Sequence, residues 1–206
     1  VGWLRTGATM SNLTVTKGPR GGVVVGAEDS PVLRACTITA NRWRSGGVCC
    51  YRSRMSMEAC TLSANGADDG GGGLCCYASS PTLEDCTIAE NVAEFGGGAC
   101  CTEGSAPTFI RCTVEANTAG QIGGGGGGIY CADGSLTCVG CTFAGNVAEY
   151  GGGVRGRRTS FTFTDCTIEG NSGQREGAGI HCGVESSGSF TACAFRGNDG
   201  CGIFCE

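Results

Sequence analysis

Apolar and polar residues recur along this chain in a repeat of about 26 residues. Seven segments share the frame Cys-Thr-apolar-x-x-Asn (Ala replaces Thr in the last), and the steps between their cysteines are 24, 26, 26, 29, 25 and 27 residues. The frame begins at Cys36, Cys60, Cys86, Cys112, Cys141, Cys166 and Cys193, after a degenerate copy around Leu13. Repeats of this length are typical of solenoids, in which each repeat forms one coil.

Spacing within each repeat varies by more than one residue in only one place. The step from Cys to Asn is 5 residues in every copy. A Gly-Gly-apolar motif, such as Gly47-Val48 or Gly128-Ile129, follows each Asn after a segment of variable length, and 12 or 13 residues then separate its apolar residue from the next Cys. Insertions are therefore confined to one side of the predicted coil.

Alternation of apolar and polar positions inside each repeat predicts short β-strands. In Cys36-Thr37-Ile38, the first and third side chains share a face and Thr37 points away. Three such strands per coil, joined by turns, form a parallel β-solenoid, and no segment has the pattern of an ordinary helix. We predict an all-β solenoid of about eight coils, with residues 1–206 in a single domain that is a section of a longer protein or assembly.

The motifs also resemble those of a known family. Phe143-Ala-Gly-Asn146 and Phe195-Arg-Gly-Asn198 match a Phe-x-x-Asn motif, and Gly96-Gly-Gly-Ala99 approximates a Gly-Gly-Ala-apolar motif. Over about residues 11–206, the chain resembles right-handed parallel β-helix (pectin-lyase-like) repeats, and more closely the polymorphic membrane protein repeats of chlamydial autotransporters. The resemblance implies a right-handed parallel β-helix. It is weak for function, because such repeats serve adhesins, lyases, epimerases and filament proteins alike.

Asparagines of the frame form one column of the predicted solenoid. They are Asn41, Asn65, Asn91, Asn117, Asn146, Asn171 and Asn198. Because asparagine tolerates left-handed backbone and its amide both donates and accepts hydrogen bonds, we interpret the column as a structural ladder at a turn rather than a binding site.

The 18 cysteines fall mainly into three columns. Two of these columns point inward: the seven frame cysteines and a second set of Cys50, Cys76, Cys101, Cys131, Cys182 and Cys205. So many cysteines indicate an oxidising compartment and several disulfides, since neighbouring coils place Cα atoms about 4.8 Å apart. The disulfide candidates are the outward Cys49, Cys75 and Cys100, together with Cys138 and Cys201.

Charged residues show no catalytic constellation. Asp68, Asp69, Glu94 and Glu149 fall in the variable segments and are interpreted as solvated charges, while Arg155, Arg157 and Arg158 form a small basic patch. His181, the only histidine, shares the outward column of Cys49 and is predicted to be exposed. Neither the acids and arginine base of pectate-lyase-like enzymes nor two zinc-binding Cys pairs can be matched. We therefore predict no enzyme activity, metal or cofactor.

Threonines form an outward column, which raises ice binding as a third possible function. The column comprises Thr37, Thr61, Thr87, Thr113, Thr142 and Thr167. Regular hydroxyls at solenoid spacing are a feature of ice-binding faces. The residues two positions further include Ala89, Glu115 and Glu169, which break the flat Thr-x-Thr array of solenoid antifreeze proteins. Ice binding therefore ranks third among the functions considered.

Composition argues against nucleic-acid binding and against a membrane-spanning helix. The net charge is −5 and Lys17 is the single lysine, so no basic stripe for nucleic acid exists. No apolar run approaches the ~20 residues of a membrane-spanning helix. We predict a structural or adhesive rod, extracellular or at the cell surface, with other chains or flanking domains stacked on its end coils and glycans as potential ligands. The alternative is a carbohydrate-binding or polysaccharide-modifying β-helix.

Overall fold

A computed structural model describes residues 3–4, 7–18, 21–120 and 124–206. In these ranges the chain forms 31 β-strands, numbered β1–β31 in chain order, which pair in four parallel sheets. The chain visits the sheets in the same order in every coil, and this is the right-handed solenoid expected from the repeat. Within the described ranges, no helix is long and apolar enough to cross a membrane.

Sheet 1 is built from the strands that follow the Gly-Gly motifs. Its nine strands are β1 (Trp3–Leu4), β4 (Val23–Val25), β8 (Val48–Tyr51), β12 (Leu74–Tyr77), β16 (Ala99–Thr102), β20 (Ile129–Ala132), β24 (Val154–Arg157), β28 (Ile180–Cys182) and β31 (Ile203–Cys205). Equivalent residues of neighbouring coils pair directly, as Cys50 does with Cys76.

Sheet 2 contains the strands that precede each frame Cys. Its eight strands are β2 (Thr9–Ser11), β5 (Val32–Arg34), β9 (Ser56–Glu58), β13 (Thr82–Glu84), β17 (Thr108–Ile110), β21 (Ser135–Val139), β25 (Ser160–Thr164) and β29 (Ser187–Thr191). Its outer face carries exposed ion pairs that join neighbouring coils, such as the one between Arg34 and Glu58 at 3.1 Å. Such exposed pairs stabilise the sheet little.

Sheet 3 contains the strands of the frame itself. Its eight strands are β3 (Thr14–Thr16), β6 (Thr37–Thr39), β10 (Thr61–Ser63), β14 (Thr87–Ala89), β18 (Thr113–Glu115), β22 (Thr142–Ala144), β26 (Thr167–Glu169) and β30 (Ala194–Arg196). Because these strands pair in register, equivalent side chains stack on one another. The inward stack includes Ile38, Leu62 and Ile88, while the threonines face outward. The eight strands span seven full turns of the solenoid.

A fourth sheet occupies the variable side, where the sequence predicted only loops. Sheet 4 comprises β7 (Arg42–Trp43), β11 (Gly66–Ala67), β15 (Val92–Ala93), β19 (Thr118–Ala119), β23 (Val147–Tyr150) and β27 (Ser172–Glu176). The first four of these strands have two residues each, too few to show an alternating pattern. The later two have 4 and 5 residues, so sheet 4 widens toward the C-terminal coils.

Apolar side chains from sheets 1, 2 and 3 fill the interior from coil to coil. Leu33, Leu83 and Phe109 of sheet 2 are fully buried, and cysteines occupy the narrow positions beside them. The core has no room for a larger residue at position 156, because a Cβ added to Gly156 would overlap the ring of Phe161. Glycine therefore replaces the inward cysteine where the facing residue is largest, in keeping with the close packing of protein interiors.

Four positions of each coil use the left-handed backbone region: a glycine that leads into sheet 1, such as Gly71 (φ 69°), and three corners where most residues are not glycine. The residue before each frame Cys has a positive φ, as do the residue before each Asn and a residue after each sheet 1 strand; Ala59 (φ 50°), Ala64 (φ 51°) and Ala78 (φ 50°) do so in one coil. This conformation costs a non-glycine residue roughly 1–2 kcal/mol. The same cost recurs in almost every coil, so the corners persist because stacking offsets it.

The asparagines form a continuous ladder of hydrogen bonds at the corner between sheets 3 and 4. The Asn91 amide nitrogen donates to Asn117 Oδ1 at 2.9 Å and to the Leu62 carbonyl at 3.0 Å. Asn91 Oδ1 accepts from the backbone nitrogen (3.0 Å) and the side-chain amide (3.1 Å) of Asn65. Both donors and both lone pairs of the amide are therefore used, although the side chain is fully buried.

The structure contains a second polar ladder, which the repeat pattern did not predict. At the corner between sheets 1 and 2, the Ser53 backbone nitrogen donates to Ser79 Oγ at 3.1 Å, and the Ser79 nitrogen donates to Ser105 Oγ at 3.0 Å. All three serines are buried. The signal was a hydroxyl residue three or four positions after the second inward cysteine of each repeat.

Replacing Asn91 tests the asparagine ladder. We expect Asn91→Ala to lower the free energy of unfolding by at least about 1–3 kcal/mol, because it leaves buried donors of Asn65 and an acceptor of Asn117 without partners. The matched control is Asn198→Ala, which loses contacts to one neighbouring coil in place of two. Denaturant unfolding measures both variants. An equal loss from both would contradict the view that stacking on two sides stabilises each amide.

Replacing Ala116 tests the corner conformation. Ala116 has a φ of 51°, and glycine occupies the equivalent position at Gly145 and Gly170. Alanine to glycine normally costs about 0.5–1 kcal/mol in a regular strand, and we expect that cost for the control Ala89→Gly in β14. Ala116→Gly relieves the steric penalty, so its melting temperature should equal or exceed that of the parent. A fall in melting temperature as large as that of Ala89→Gly would show that alanine is unstrained at this corner.

Candidate functional site on the outer face of sheet 1

One column on the outer face of sheet 1 changes its chemistry halfway along the solenoid. Register pairing joins the members of this outer column in the order Val24, Cys49, Cys75, Cys100, Tyr130, Arg155, His181 and Phe204. The first half carries an aliphatic residue and three thiols, and the second half carries aromatic and charged side chains. The change coincides with the widening of sheet 4.

The three outward thiols are buried, which corrects the expectation of exposure. Cys49, Cys75 and Cys100 are 3%, 0% and 6% exposed. Glycine-rich segments leading into sheet 1 lie over them: a Cβ at Gly70 would be 3.0 Å from Cys100 Sγ, and one at Gly71 would be 2.8 Å from the Cys75 Cα. Glycine is required here because a side chain would strike the thiol column.

All 18 cysteines are free thiols, so the disulfide prediction was wrong. The Cα spacing of about 4.8 Å between coils permits a disulfide, but the bond also needs Cβ atoms about 3.5–4.5 Å apart. In-register parallel pairing keeps the two Cα–Cβ bonds parallel, so the Cβ atoms stay as far apart as the Cα atoms. Of the remaining disulfide candidates, Cys138 is buried in the core and Cys201 is exposed.

Burial and thiol–thiol hydrogen bonds act in opposite directions on the cysteines, and a hydrogen bond from Cys86 lowers the pKa of Cys60 to about 6. Burial raises the pKa of Cys100, Cys131 and Cys138 above the ordinary thiol value, because a thiolate would lose its hydration. Cys49 differs, since a hydrogen bond from the Cys75 thiol lowers the pKa of Cys49 to about 7 despite burial. Both Cys49 and Cys75 lie beneath the glycine-rich cover, so this acidity is not accessible to a substrate.

Side chains from sheets 1 and 4 converge at the C-terminal half of the outer column. We call this group the Tyr150 cluster; it comprises Glu149, Tyr150, Arg155, Arg175, Glu176, His181 and Glu206. Tyr150 is central: the Arg155 guanidinium lies 4.6 Å from the centre of its ring, and that of Arg175 lies 5.9 Å away. Cations at such distances are attracted to the ring face.

Glu149 is buried rather than solvated, which corrects a second expectation. Its side chain is 7% exposed and accepts from Arg175 Nε at 2.6 Å. Arg175 itself is largely exposed. The longer strands β23 and β27 produce this pair, because they carry Glu149 and Arg175 beyond the two-residue strands of earlier coils.

His181 is buried, although the sequence predicted exposure. Its ring is 1% exposed, stacks on Phe204 at 5.4 Å and meets the edge of Tyr150 at 5.5 Å. His181 Nε2 lies 3.4 Å from a Glu176 oxygen and 3.5 Å from a Glu206 oxygen. Burial lowers the pKa of His181, against the opposing effect of Glu176. The imidazole is therefore neutral near pH 7.

The other charged candidates do not join this cluster. Arg158 forms an ion pair with Asp133, which lowers the pKa of that carboxyl. Asp68 borders a shallow depression beside Arg42 and Val92. The threonine column lies on sheet 3, where Glu115 and Glu169 share its outward face. The predicted basic patch is thus partly neutralised, and the hydroxyl face is interrupted.

The sequence contained only a partial signal for the Tyr150 cluster. Arg155 and His181 could be assigned to one outward column by period-two alternation. Tyr150, Arg175 and Glu176 lie in the segment of variable length, where the repeat predicts no register. The 25- and 27-residue steps that contain these residues gave no indication that the segment pairs as a strand over the column.

Comparison with known proteins places the fold in a family. Residues 1–156 match the family model described as a right-handed beta helix region. The match covers more than half of the chain, so the protein belongs to the right-handed β-helix family. No curated protein and no solved structure matches the chain.

Counting thiols tests the redox state of the columns. Alkylation in denaturant without reductant should add 18 groups per chain by intact mass, as in a sample reduced beforehand. In the folded protein, the exposed Cys201 and Cys205 should react first, and Cys49, Cys75 and Cys100 should be protected. A deficit of two or more groups in the unreduced sample would show that the columns do form disulfides.

Proposed function

We propose that this chain is a section of a structural or adhesive rod at the cell surface. Sheets 1, 2 and 3 run in register from coil to coil, the core continues between them, and the asparagine ladder extends without a break from Asn41 to Asn198. This continuity is the observation that carries the proposal. A stack in which every coil supports its neighbours resists bending and stretching, since each repeat buries its apolar face only against the next.

The variable side supports the adhesive part of the proposal. Length differences between repeats fall in the segment that contains sheet 4, so the surface there can change while the core stays constant. Trp43 and Val92 are exposed on this side. Loops carried by a rigid scaffold are where binding residues concentrate.

The edge of the last coil supports the proposed partners. Ile203 is 37% exposed, whereas Ile180, its neighbour one coil earlier, is fully buried. An uncovered strand edge with apolar side chains is a template for further pairing. We propose that another chain or a flanking domain stacks there. The surface location rests on the resemblance to autotransporter repeats, because free thiols remove the argument from an oxidising compartment.

Deleting one coil separates a rod from a local site. Residues 60–85 run from one frame Cys to the position before the next, and the corners at Ala59 and Asp85 are equivalent. We expect the deletion variant to fold cooperatively, to be about 4.8 Å shorter by small-angle scattering, and to lose attachment in proportion to the coils removed. The control Arg175→Ala changes the Tyr150 cluster without changing rod length.

Attachment is measured with protein-coated beads on cells of the native source and on a panel of polysaccharides. A rod should respond to the deletion and not to the control variant. Attachment or polysaccharide cleavage that survives the coil deletion and disappears with Arg175→Ala would refute the rod as the functional unit.

The Tyr150 cluster favours a second candidate, binding or modification of an anionic carbohydrate. Two arginines and an aromatic ring converge there, and a guanidinium pairs with the carboxylate of a sugar acid through two parallel hydrogen bonds. Two features weigh against catalysis: Glu149 and Arg175 already pair at 2.6 Å, and His181 is buried. Depolymerisation of pectin or another polyuronate by the parent chain, lost in Tyr150→Ala, would establish this candidate.

A further inference from the structure

The C-terminal side of the Tyr150 cluster brings three metal-ligating side chains together from different elements. His181 projects outward from β28, Glu206 follows β31 one coil later, and Glu176 ends β27 of sheet 4. The Glu206 backbone nitrogen donates to the Cys182 carbonyl at 3.0 Å, which continues the register of sheet 1 and places its side chain beside the imidazole. The backbone ladders therefore position all three groups.

The distances suit a shared ion better than direct hydrogen bonds. His181 Nε2 is 3.4 Å from Glu176 Oε2 and 3.5 Å from Glu206 Oε1, and the three ligand atoms lie within 4.8 Å of one another. An N–H···O hydrogen bond is usually about 2.9–3.0 Å long. Ligands held about 2.0–2.2 Å from a tetrahedral metal lie about 3.3–3.6 Å apart, which matches both nitrogen–oxygen separations.

The tautomers of His181 also point to a bound cation. Nδ1 is buried and has no hydrogen-bond partner among the described residues. With the proton on Nε2, Nδ1 is a bare buried acceptor; with the proton on Nδ1, the Nε2 lone pair faces two carboxylates. Nδ1 stays unpaired in either tautomer, but in the second tautomer the Nε2 lone pair meets two negative charges with no cation between them. A metal ion at Nε2 would use that lone pair and compensate the two negative charges.

The ring is also held in place for coordination. Phe204 stacks on it nearly in parallel, with 15° between the planes, and the Tyr150 ring packs against it at 65°. Glu176 and Glu206 are 42% and 38% exposed, so an ion can enter from solvent. A position open to water remains, as in sites with three protein ligands.

We propose that Glu176, His181 and Glu206 bind a divalent transition-metal ion, with Zn²⁺ as the best match to one imidazole and two carboxylates. The ion ties sheet 4 to two successive coils of sheet 1. The metal site and the rod are tested by different variants, since the deletion of residues 60–85 removes none of the three ligands.

Zinc titration of the full 206-residue chain tests the site. Cysteines also bind zinc, so the exposed Cys201 and Cys205 are first blocked with N-ethylmaleimide and bound metal is removed with a chelator. Calorimetry should then show one tight Zn²⁺ per chain, with a rise in melting temperature. Co²⁺ in its place should give tetrahedral visible bands without the near-ultraviolet band of a thiolate ligand.

Variants assign the ligands. Glu176→Gln and Glu206→Gln should each weaken Zn²⁺ binding by more than about tenfold, since loss of a second-shell partner alone costs that much. Both side chains are partly exposed, so these variants should fold; His181→Gln serves as a third test. The control is Glu115→Gln, an exposed carboxylate on sheet 3, which should bind as the parent does. No tight zinc, equal binding by all variants, or a thiolate band with Co²⁺ would each overturn the proposal.

Discussion

Register between coils is the constraint on which the rest of this structure depends. The amide of Asn91 can use its two donors and its two lone pairs only when Asn65 and Asn117 lie directly on either side of it. A slip of one residue would also turn Ile38 outward and Thr37 into the core, because side chains alternate along a strand. The polar ladder and the apolar core thus select the same pairing, and each would be lost with the other.

Fixed register explains why the repeat varies in one place only. Left-handed corners such as Ala59 and Ala64 turn the chain by the same amount in each coil, so the strands between them must keep their length. These corners are costly for alanine, and the burial of one coil against the next offsets that cost. The segment after each Asn is free of this requirement, because sheet 4 lies outside the core and its strands differ in length.

Much of the architecture could be predicted from the sequence, because a repeated Cys-Thr-apolar-x-x-Asn frame indicates both the period and the inward positions. Which outward side chains are covered by other segments could not be predicted from the sequence. Period-two alternation places Cys75 and His181 on the outer face, but only the path of a segment of variable length decides that both are buried. Disulfides were expected from the number of cysteines and from the Cα spacing, and parallel Cα–Cβ bonds defeat the spacing criterion.

The chemistry of the molecule arises where the repeat departs from itself. In the early coils, two-residue strands of sheet 4 and glycine-rich segments cover a column of thiols. In the later coils, β23 and β27 lengthen to 4 and 5 residues and carry Tyr150 and Glu176 over a column that now holds Arg155 and His181. Both changes lie outside the core, so neither alters the asparagine ladder. A solenoid of this kind can therefore gain a site in one coil without losing stability in the others, because the residues that bind and the residues that stack lie on opposite faces of the same strands.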